Sequence, residues 1–350
     1  MNHYVNQPPG TSILIQGREY LYFGGTSYLG LQTHPDFLVS YTQNIMAHGS
    51  SHGASRNANI RLEMYDPAED KLAVFTGAPA CFTVSSGYMS GQLIRQYFAK
   101  VGNPFFHMPS AHNALRLPGD TVYLAFAKTG QALREQLEKH PETKPVLALD
   151  SISFNNLEGY PTYNELKELP LQDLILVVDD SHGLGTIEED GKGTYGLLQD
   201  LGAGEIIVCG SLAKAMAVPG GFILGDKDRL SGLQDHALYA GASPMSPAAL
   251  ATLTHNLELV RSQHKKLKEN VDYFNQRLKD PSVFSGNPGH PTFTFTDENL
   301  VGHLQKNGIL VTHFAYSGSL SGHLTRIVIT AAHDKAHLDA LLDCLHMYAP

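Results

Sequence analysis

Between about residues 70 and 225, short and nearly continuous apolar runs alternate with segments of helical periodicity, and this alternation restricts the chain most. The runs are CFTVSS (81–86), FFHM (105–108), TVYLAF (121–126), PVLALD (145–150), LILVVDD (174–180), EIIVCG (205–210) and GFILG (221–225). A strand that is apolar at successive positions buries both faces, as strands do in a parallel sheet covered by helices. QALREQLEKH (131–140) has the amphipathic spacing of such a covering helix. The pattern predicts an α/β domain with a mostly parallel sheet flanked by helices.

The last hundred residues follow a different order. A long, charged helical stretch from about Pro247 to Lys279 has few breakers. TFTFT (292–296), a helix-like DENLVGHLQKNG, two strand candidates, ILVTHF (309–314) and LTRIVIT (324–330), and a helix over about Asp334–Tyr348 complete the chain. This is a smaller α+β C-terminal domain. The expected division is an N-terminal segment 1–40, a large domain 41–240 and a small domain 241–350.

Composition removes several classes. No run reaches the roughly 18–20 apolar residues of a membrane span, and Met1–Gly10 lacks the basic and apolar regions of a signal peptide. A cytoplasmic protein with no membrane partner is expected. The formal charge of −9 argues against a nucleic-acid partner. Cys81, Cys209 and Cys344 are odd in number and widely spaced, which fits buried reduced thiols. The 18 histidines form no H-E-x-x-H or His/Cys cluster. His48 and His52 are four apart, but the glycines and serines between and around them disfavour a shared helix face. No metal site is expected.

Ligands of open parallel sheets bind beyond the carboxyl ends of the strands. Polar residues gather at those ends: Ser85-Ser86-Gly87-Tyr88, His107, Asp179-Asp180-Ser181-His182, and Ser211 with Lys214. Ser86, Gly87 and Tyr88 precede a helix-like stretch, where free N–H groups and the helix dipole would bind an anion; a plain serine cap fits equally. Asp179 ends a buried strand, where its carboxylate needs a partner such as a protonated heterocyclic nitrogen; capping a helix is the alternative. A Ser/His/Asp hydrolase would require a G-x-S-x-G elbow, which the sequence lacks. Lys214 sits among Leu212, Ala213, Ala215, Met216 and Ala217. Desolvation there would free its amine for imine chemistry, unless the side chain reaches the surface.

Taken in order, these segments resemble the α-oxoamine synthases, a family of fold-type-I pyridoxal-phosphate enzymes within the class I/II aminotransferases. The likeness runs from YLGLQTHP (28–35) through GASR (53–56), SSGYMSGQ (85–92), HNAL (112–115), VVDDSHGLGTIEEDGKGT (177–194), SLAKAMAVPGG (211–221) and SPMSPAA (243–249) to RIVITAAHDKAHLDALL (326–342). Its nearest branches are the 8-amino-7-oxononanoate synthases of biotin biosynthesis and the 2-amino-3-ketobutyrate CoA ligases.

The resemblance implies pyridoxal 5'-phosphate carried as a Schiff base on Lys214, with Asp179 on the ring nitrogen. His182 would lie near the phenolic oxygen and His112 on the ring face. The backbone of Ser86, Gly87 and Tyr88, with the Ser211 hydroxyl, would hold the phosphate. Ser243 would reach it from the second subunit of a homodimer with a shared active site. Arg326 would pair with the carboxylate of the amino-acid substrate. The reaction implied joins that amino acid to an acyl-CoA or acyl-carrier thioester with loss of carbon dioxide. A PLP-dependent aminotransferase and a non-catalytic partner subunit are the alternatives, and the presence of Lys214 counts against the second.

The chain departs from the family pattern in places. Phe154-Asn155-Asn156-Leu157-Glu158 stands where the family has S-M-D-G-D, leaving Asn155 or Ser153 as substitutes for a serine near the cofactor. Thr26-Ser27 replaces Asn-Asp near the substrate amino acid, and Tyr65 replaces a helix-opening histidine.

Overall fold

The computed structural model describes residues 3–109, 111–123, 125–154, 166–286, 289–315 and 323–348. The strands in chain order are β1 (Ser12–Ile15), β2 (Arg18–Phe23), β3 (Ala80–Val84), β4 (Phe105–His107), β5 (Val146–Asp150), β6 (Ile175–Asp179), β7 (Glu205–Ser211), β8 (Gly221–Gly225), β9 (Thr292–Thr294), β10 (Ile309–Ala315) and β11 (His323–Val328). They form two sheets.

The larger sheet has the order β3-β8-β7-β6-β5-β4. Strands β4 to β7 are parallel, while β8 lies antiparallel between β7 and β3. Alternate residues of its central strands enter different cores. Val146, Ala148, Ile175 and Val177 pack with Leu93, Ile94 and Phe98 of the helix Gly87–Val101. Leu147, Leu149, Leu176 and Val178 point the other way, into a cluster that includes Phe37, Leu184 and Leu250. This is the physical basis of the continuous apolar runs, because each face of the sheet meets its own hydrophobic layer.

The smaller sheet has the order β1-β2-β10-β11-β9. The N-terminal hairpin therefore joins the C-terminal strands, with β2 parallel to β10 and the other pairs antiparallel. The helix Leu257–Arg277 ties this sheet to the segment that follows β2. Gln263 donates its amide to Leu29 O at 2.9 Å, and Asn270 donates to Thr330 O and His333 O at 2.9 and 2.8 Å.

Two expectations from the sequence are corrected. TVYLAF is not a strand among its described residues: the Pro118-Gly119-Asp120 turn precedes it, and a helix begins at Phe126. Tyr123 packs by its ring instead, stacking on Phe106 of the edge strand at 6.4 Å. The helical stretch from Pro247 is two helices, Pro247–His255 and Leu257–Arg277. Asn256 breaks it, its amide donating to Thr252 O at 2.7 Å and Ser40 Oγ at 2.8 Å. Among the described residues, no helix is long and apolar enough to cross a membrane.

A buried ion pair fixes the edge of the larger sheet. Glu69 receives both guanidinium arms of Arg56, at 2.7 and 3.0 Å, together with the backbone and hydroxyl of Thr83 on β3, at 2.8 and 2.6 Å. Arg56 also lies 4.0 Å above the Tyr65 ring, whose hydroxyl donates to Met245 O at 2.6 Å. Tyr65 thus anchors both the Arg56 side chain and the backbone at Met245. Glu69→Ala would strand a guanidinium whose side chain is only 10% exposed, so a loss of about 3–5 kcal/mol is expected. Urea denaturation should read it as a lowered midpoint with little change in slope.

Candidate active site

The carboxyl ends of β5, β6 and β7 carry Asp150, Asp179 and Ser211, and the turn that follows β7 carries Lys214. Asp150 and Asp179 stand side by side in register, as do Asp179 and Cys209. Two carboxylates so placed at a buried sheet end repel one another and attract cations. Burial first and Asp179 second push Asp150 well above the ordinary carboxylate range. Asp150 accepts from the His112 backbone N–H at 2.8 Å, and so positions the loop that carries the His112 ring. That ring stands with Nδ1 3.9 Å from Asp179 Oδ2. The other Asp179 oxygen accepts from Ser181 N at 3.0 Å.

Lys214 is held by a closed loop. Leu212 N donates to Gly220 O at 2.9 Å, Val218 N to Leu212 O at 3.1 Å, and Ala217 N to Lys214 O at 3.2 Å. Ala217, within this tight return, takes a left-handed conformation with φ 55°, unusual for a residue with a side chain. The amine lies 2.8 Å from His182 Nε2, and His182 Nδ1 lies 2.7 Å from the Tyr28 hydroxyl. Burial pushes Lys214 down to about 8; Asp179 and Asp150 pull upward against it, and Arg326 adds repulsion. Burial also holds His182 well below the usual imidazole range, with Lys214 and Arg326 adding to the effect, and raises Tyr28 to about 12.

The three groups therefore share protons in two ways. When Lys214 is an ammonium it donates to Nε2, and Nδ1–H faces the phenol. When it is a neutral amine it accepts from Nε2–H, and the phenol donates to Nδ1. The protonation of one amine sets the tautomer of the imidazole and the direction of the Tyr28 hydroxyl. Tyr28 is fully buried, and its backbone carbonyl accepts from Ala331 N at 2.8 Å, so it also joins the larger sheet to the smaller one.

Arg326, on β11 opposite Thr294 and Thr312, is 6% exposed, with its guanidinium 4.3 Å above the Phe154 ring. Phe154 presses edge-on against His182 with ring centroids 4.7 Å apart. His290 completes the wall: its Nε2 lies 3.1 Å from His182 O, its ring stands edge-on to Tyr28 at 5.3 Å, and burial pushes it down to about 3. Thr26, half-buried, lies two residues before Tyr28.

Ser86 caps the helix Gly87–Val101, its hydroxyl accepting from Met89 N at 3.1 Å. A side chain at Gly87 would place its Cβ 2.6 Å from Ser211 Cβ, so only glycine lets the helix start reach Ser211. The remaining N–H groups of this start, including that of Tyr88, are the orphan donors of a helix of 15 residues. Ser211 Oγ accepts from Ala213 N at 3.1 Å, and Ser211 N donates to Ser181 Oγ at 2.9 Å.

This donor set fits a flat, phosphorylated heteroaromatic aldehyde. It offers a desolvated amine, a buried carboxylate beside an imidazole ring, and a helix start that a Cβ would block. Ser243 is exposed on the loop before the helix Pro247–His255. Asn155 lies outside the described residues.

Two polar strand-end residues have structural parts instead. His107 is fully buried and bonded through Nε2 to Leu115 O at 2.8 Å. Asp180 accepts from Thr194 N at 2.9 Å and fills the turn where Gly183 and Gly193 leave room for its carboxylate. Burial pushes it up to about 7. Tyr28, His290 and Asp150 are members of the site that the sequence does not single out. A tyrosine, a histidine or an aspartate met singly carries no signal, and 154 residues separate Tyr28 from its imidazole partner.

The family model for aminotransferase class I and II matches residues 120–345. An 8-amino-7-oxononanoate synthase of Chromobacterium violaceum is 27% identical over 358 residues, covering 97% of this chain and 92% of its own. A serine palmitoyltransferase of Sphingobacterium spiritivorum is 26% identical over 362 residues, covering 97% and 89%. A solved serine palmitoyltransferase holding pyridoxal phosphate as its internal aldimine superposes with a TM-score of 0.81 at 19% identity, over 98% of this chain and 91% of that one. This structural likeness speaks to the fold.

Lys214 should react with an amine-acylating reagent with a midpoint near pH 8 in the cofactor-free protein, against about 10.4 for a free lysine. Asp179→Asn removes an attraction that holds the proton on, so the midpoint should fall below that of the wild type. Mass spectrometry of the modified peptide measures both. A midpoint near 10, or an upward shift in Asp179→Asn, would contradict the electrostatics described.

Proposed function

The chain belongs to the aminotransferase class I and II family and is a pyridoxal-phosphate-dependent transferase, and on that premise we propose that it condenses an amino acid with an acyl thioester, with loss of carbon dioxide. The observation that carries the reading is one desolvated amine, Lys214, bonded at 2.8 Å to a neutral histidine and sharing its surroundings with a buried arginine. The likeness to an oxononanoate synthase and a palmitoyltransferase over nearly the full chain favours acyl transfer within the family.

Pyridoxal phosphate, when bound, supplies an electron sink for the bond broken at the α-carbon of the amino acid. The chain's own residues would do the rest. Lys214 would anchor the cofactor through its amine and, once released, take up the α-proton, its lowered basicity keeping part of it unprotonated near neutral pH. His182 would stand beside the phenolic oxygen, its ring held in place by the Tyr28 hydroxyl. Asp179 would hold a proton on the ring nitrogen, and His112 would lie on the ring face. The N–H groups at Ser86, Gly87 and Tyr88 and the Ser211 hydroxyl would bind the phosphate. Arg326 would orient the substrate carboxylate, with Thr26 beside the amino acid.

A homodimer is part of the proposal. Leu38, Val39 and Met46 on the helix Pro35–His48 are 45%, 57% and 84% exposed, an apolar face that a second copy would cover. Ser243, exposed in one chain, would then reach the phosphate of the other.

The test is product analysis with glycine, alanine and serine, with and without acyl-CoA. Equimolar release of carbon dioxide and free CoA supports the proposal. Efficient amino-group transfer to a 2-oxo acid without any acyl-CoA would replace it with transamination. Lys214→Ala should lower kcat by roughly 10²–10⁴-fold, the worth of a positioned acid–base group. Arg326→Ala should chiefly raise KM for the amino acid, by roughly 10- to 100-fold for a lost charge-assisted contact.

A further inference from the structure

We propose that Glu298, His313 and His323 form a binding site for a divalent transition cation of the zinc type, on the outer face of the smaller sheet. One ligand atom from each residue lies within 4.8 Å of the other two. His323 Nδ1 is 3.2 Å from Glu298 Oε1. Zinc binds nitrogen and oxygen ligands tetrahedrally at about 2.0–2.2 Å, which sets donor atoms roughly 3.3–3.5 Å apart. One edge of that tetrahedron is therefore nearly at its required length, and the other two, each at most 4.8 Å, would have to shorten on binding.

The strands place the ligands. In the β10–β11 pair, His313 is opposite Thr325 and Ala315 is opposite His323. The two histidines thus share one face as a diagonal cross-strand pair, with ring centroids 4.6 Å apart and planes at 27°. His313 Nδ1 lies 2.9 Å from Thr325 Oγ1, a hydrogen bond that sets the ring's orientation as outer-shell partners do for metal-bound imidazoles. Glu298 opens the helix Glu298–Lys306, which packs on β10. Two imidazoles and one carboxylate select zinc-class ions over magnesium and calcium, which prefer oxygen donors. Three protein ligands leave a fourth tetrahedral position that water can fill, as in open zinc sites.

Such an ion would tie the helix Glu298–Lys306 to both strands. β11 carries Arg326 three residues beyond His323, so the clip would stiffen the strand that presents the guanidinium. The site stands apart from the acyl-transfer reading and does not depend on it.

The experiment uses the untagged holoenzyme, freed of metal by dialysis against EDTA and titrated calorimetrically with zinc chloride. One saturable site per chain is expected. The dissociation constant should rise at least about 100-fold in the His313→Ala/His323→Ala double variant, the upper end of what loss of an outer-shell partner alone costs. Zinc should raise the melting temperature of the wild type and leave that of the double variant unchanged. If the double variant does not fold, Glu298→Gln serves, with binding at least about 10-fold weaker. Absence of saturable binding, or zinc affinity that survives these substitutions, would overturn the assignment and leave a surface histidine–carboxylate pair.

Discussion

The hydrogen-bonded series Lys214–His182–Tyr28 is the contact on which the arrangement of the site depends. Each member comes from a different part of the chain: the loop after β7, the loop after β6, and the segment that joins β2 to the first long helix. Tyr28 is fully buried and His182 and Lys214 are half-buried, so the phenol and the imidazole take their partners from the protein. Moving any of the three parts would leave an imidazole nitrogen, an amine or a phenol without one. The requirement that keeps an amine reactive also fixes the relation of the two sheets.

Charge around this series is arranged in opposition. Asp150 and Asp179 lie together at the ends of β5 and β6, while Arg326 enters from β11 on the smaller sheet. The carboxylates stabilise a cation at Lys214, and the guanidinium and desolvation oppose it. The balance brings the amine near 8, where it exists in both forms close to physiological pH. Phe154 sets the other boundary. It lies under the Arg326 guanidinium and against the His182 ring, so an apolar ring separates the guanidinium from the imidazole. This side of the pocket is shaped by packing, and it is where substrate choice would differ among relatives of one fold.

The smaller sheet has a larger part than its length suggests. It receives β1 and β2 from the start of the chain, presents Arg326, and through Ala331 fixes the backbone of Tyr28. The helix Leu257–Arg277 holds the same region from outside by the side-chain amides of Gln263 and Asn270. Stiffness in this sheet translates directly into the placement of a guanidinium and a phenol at the site.

The sequence alone determined the strand runs of the larger sheet, because a strand buried on both faces must be apolar at every position whatever its neighbours are. It also marked Asp179, His182, Ser86, Gly87, Ser211 and Lys214, since strand ends and helix starts are local features and the polar residues there are adjacent to the runs. Tertiary structure decided what depends on distant partners. The pairing of β2 with β10 joins residues nearly 290 apart, and no periodicity encodes it. The apolar segment at residues 121–123 could equally be a strand or a ring-packed cover, and the available neighbour, Phe106, decided. Asn256 reads as an ordinary helix residue until Ser40 is there to accept from it. Tyr28, His290 and the Glu298–His313–His323 cluster share this origin: each side chain is chemically unremarked in sequence, and its function follows from which groups the packed chain brings within hydrogen-bond or ligand distance.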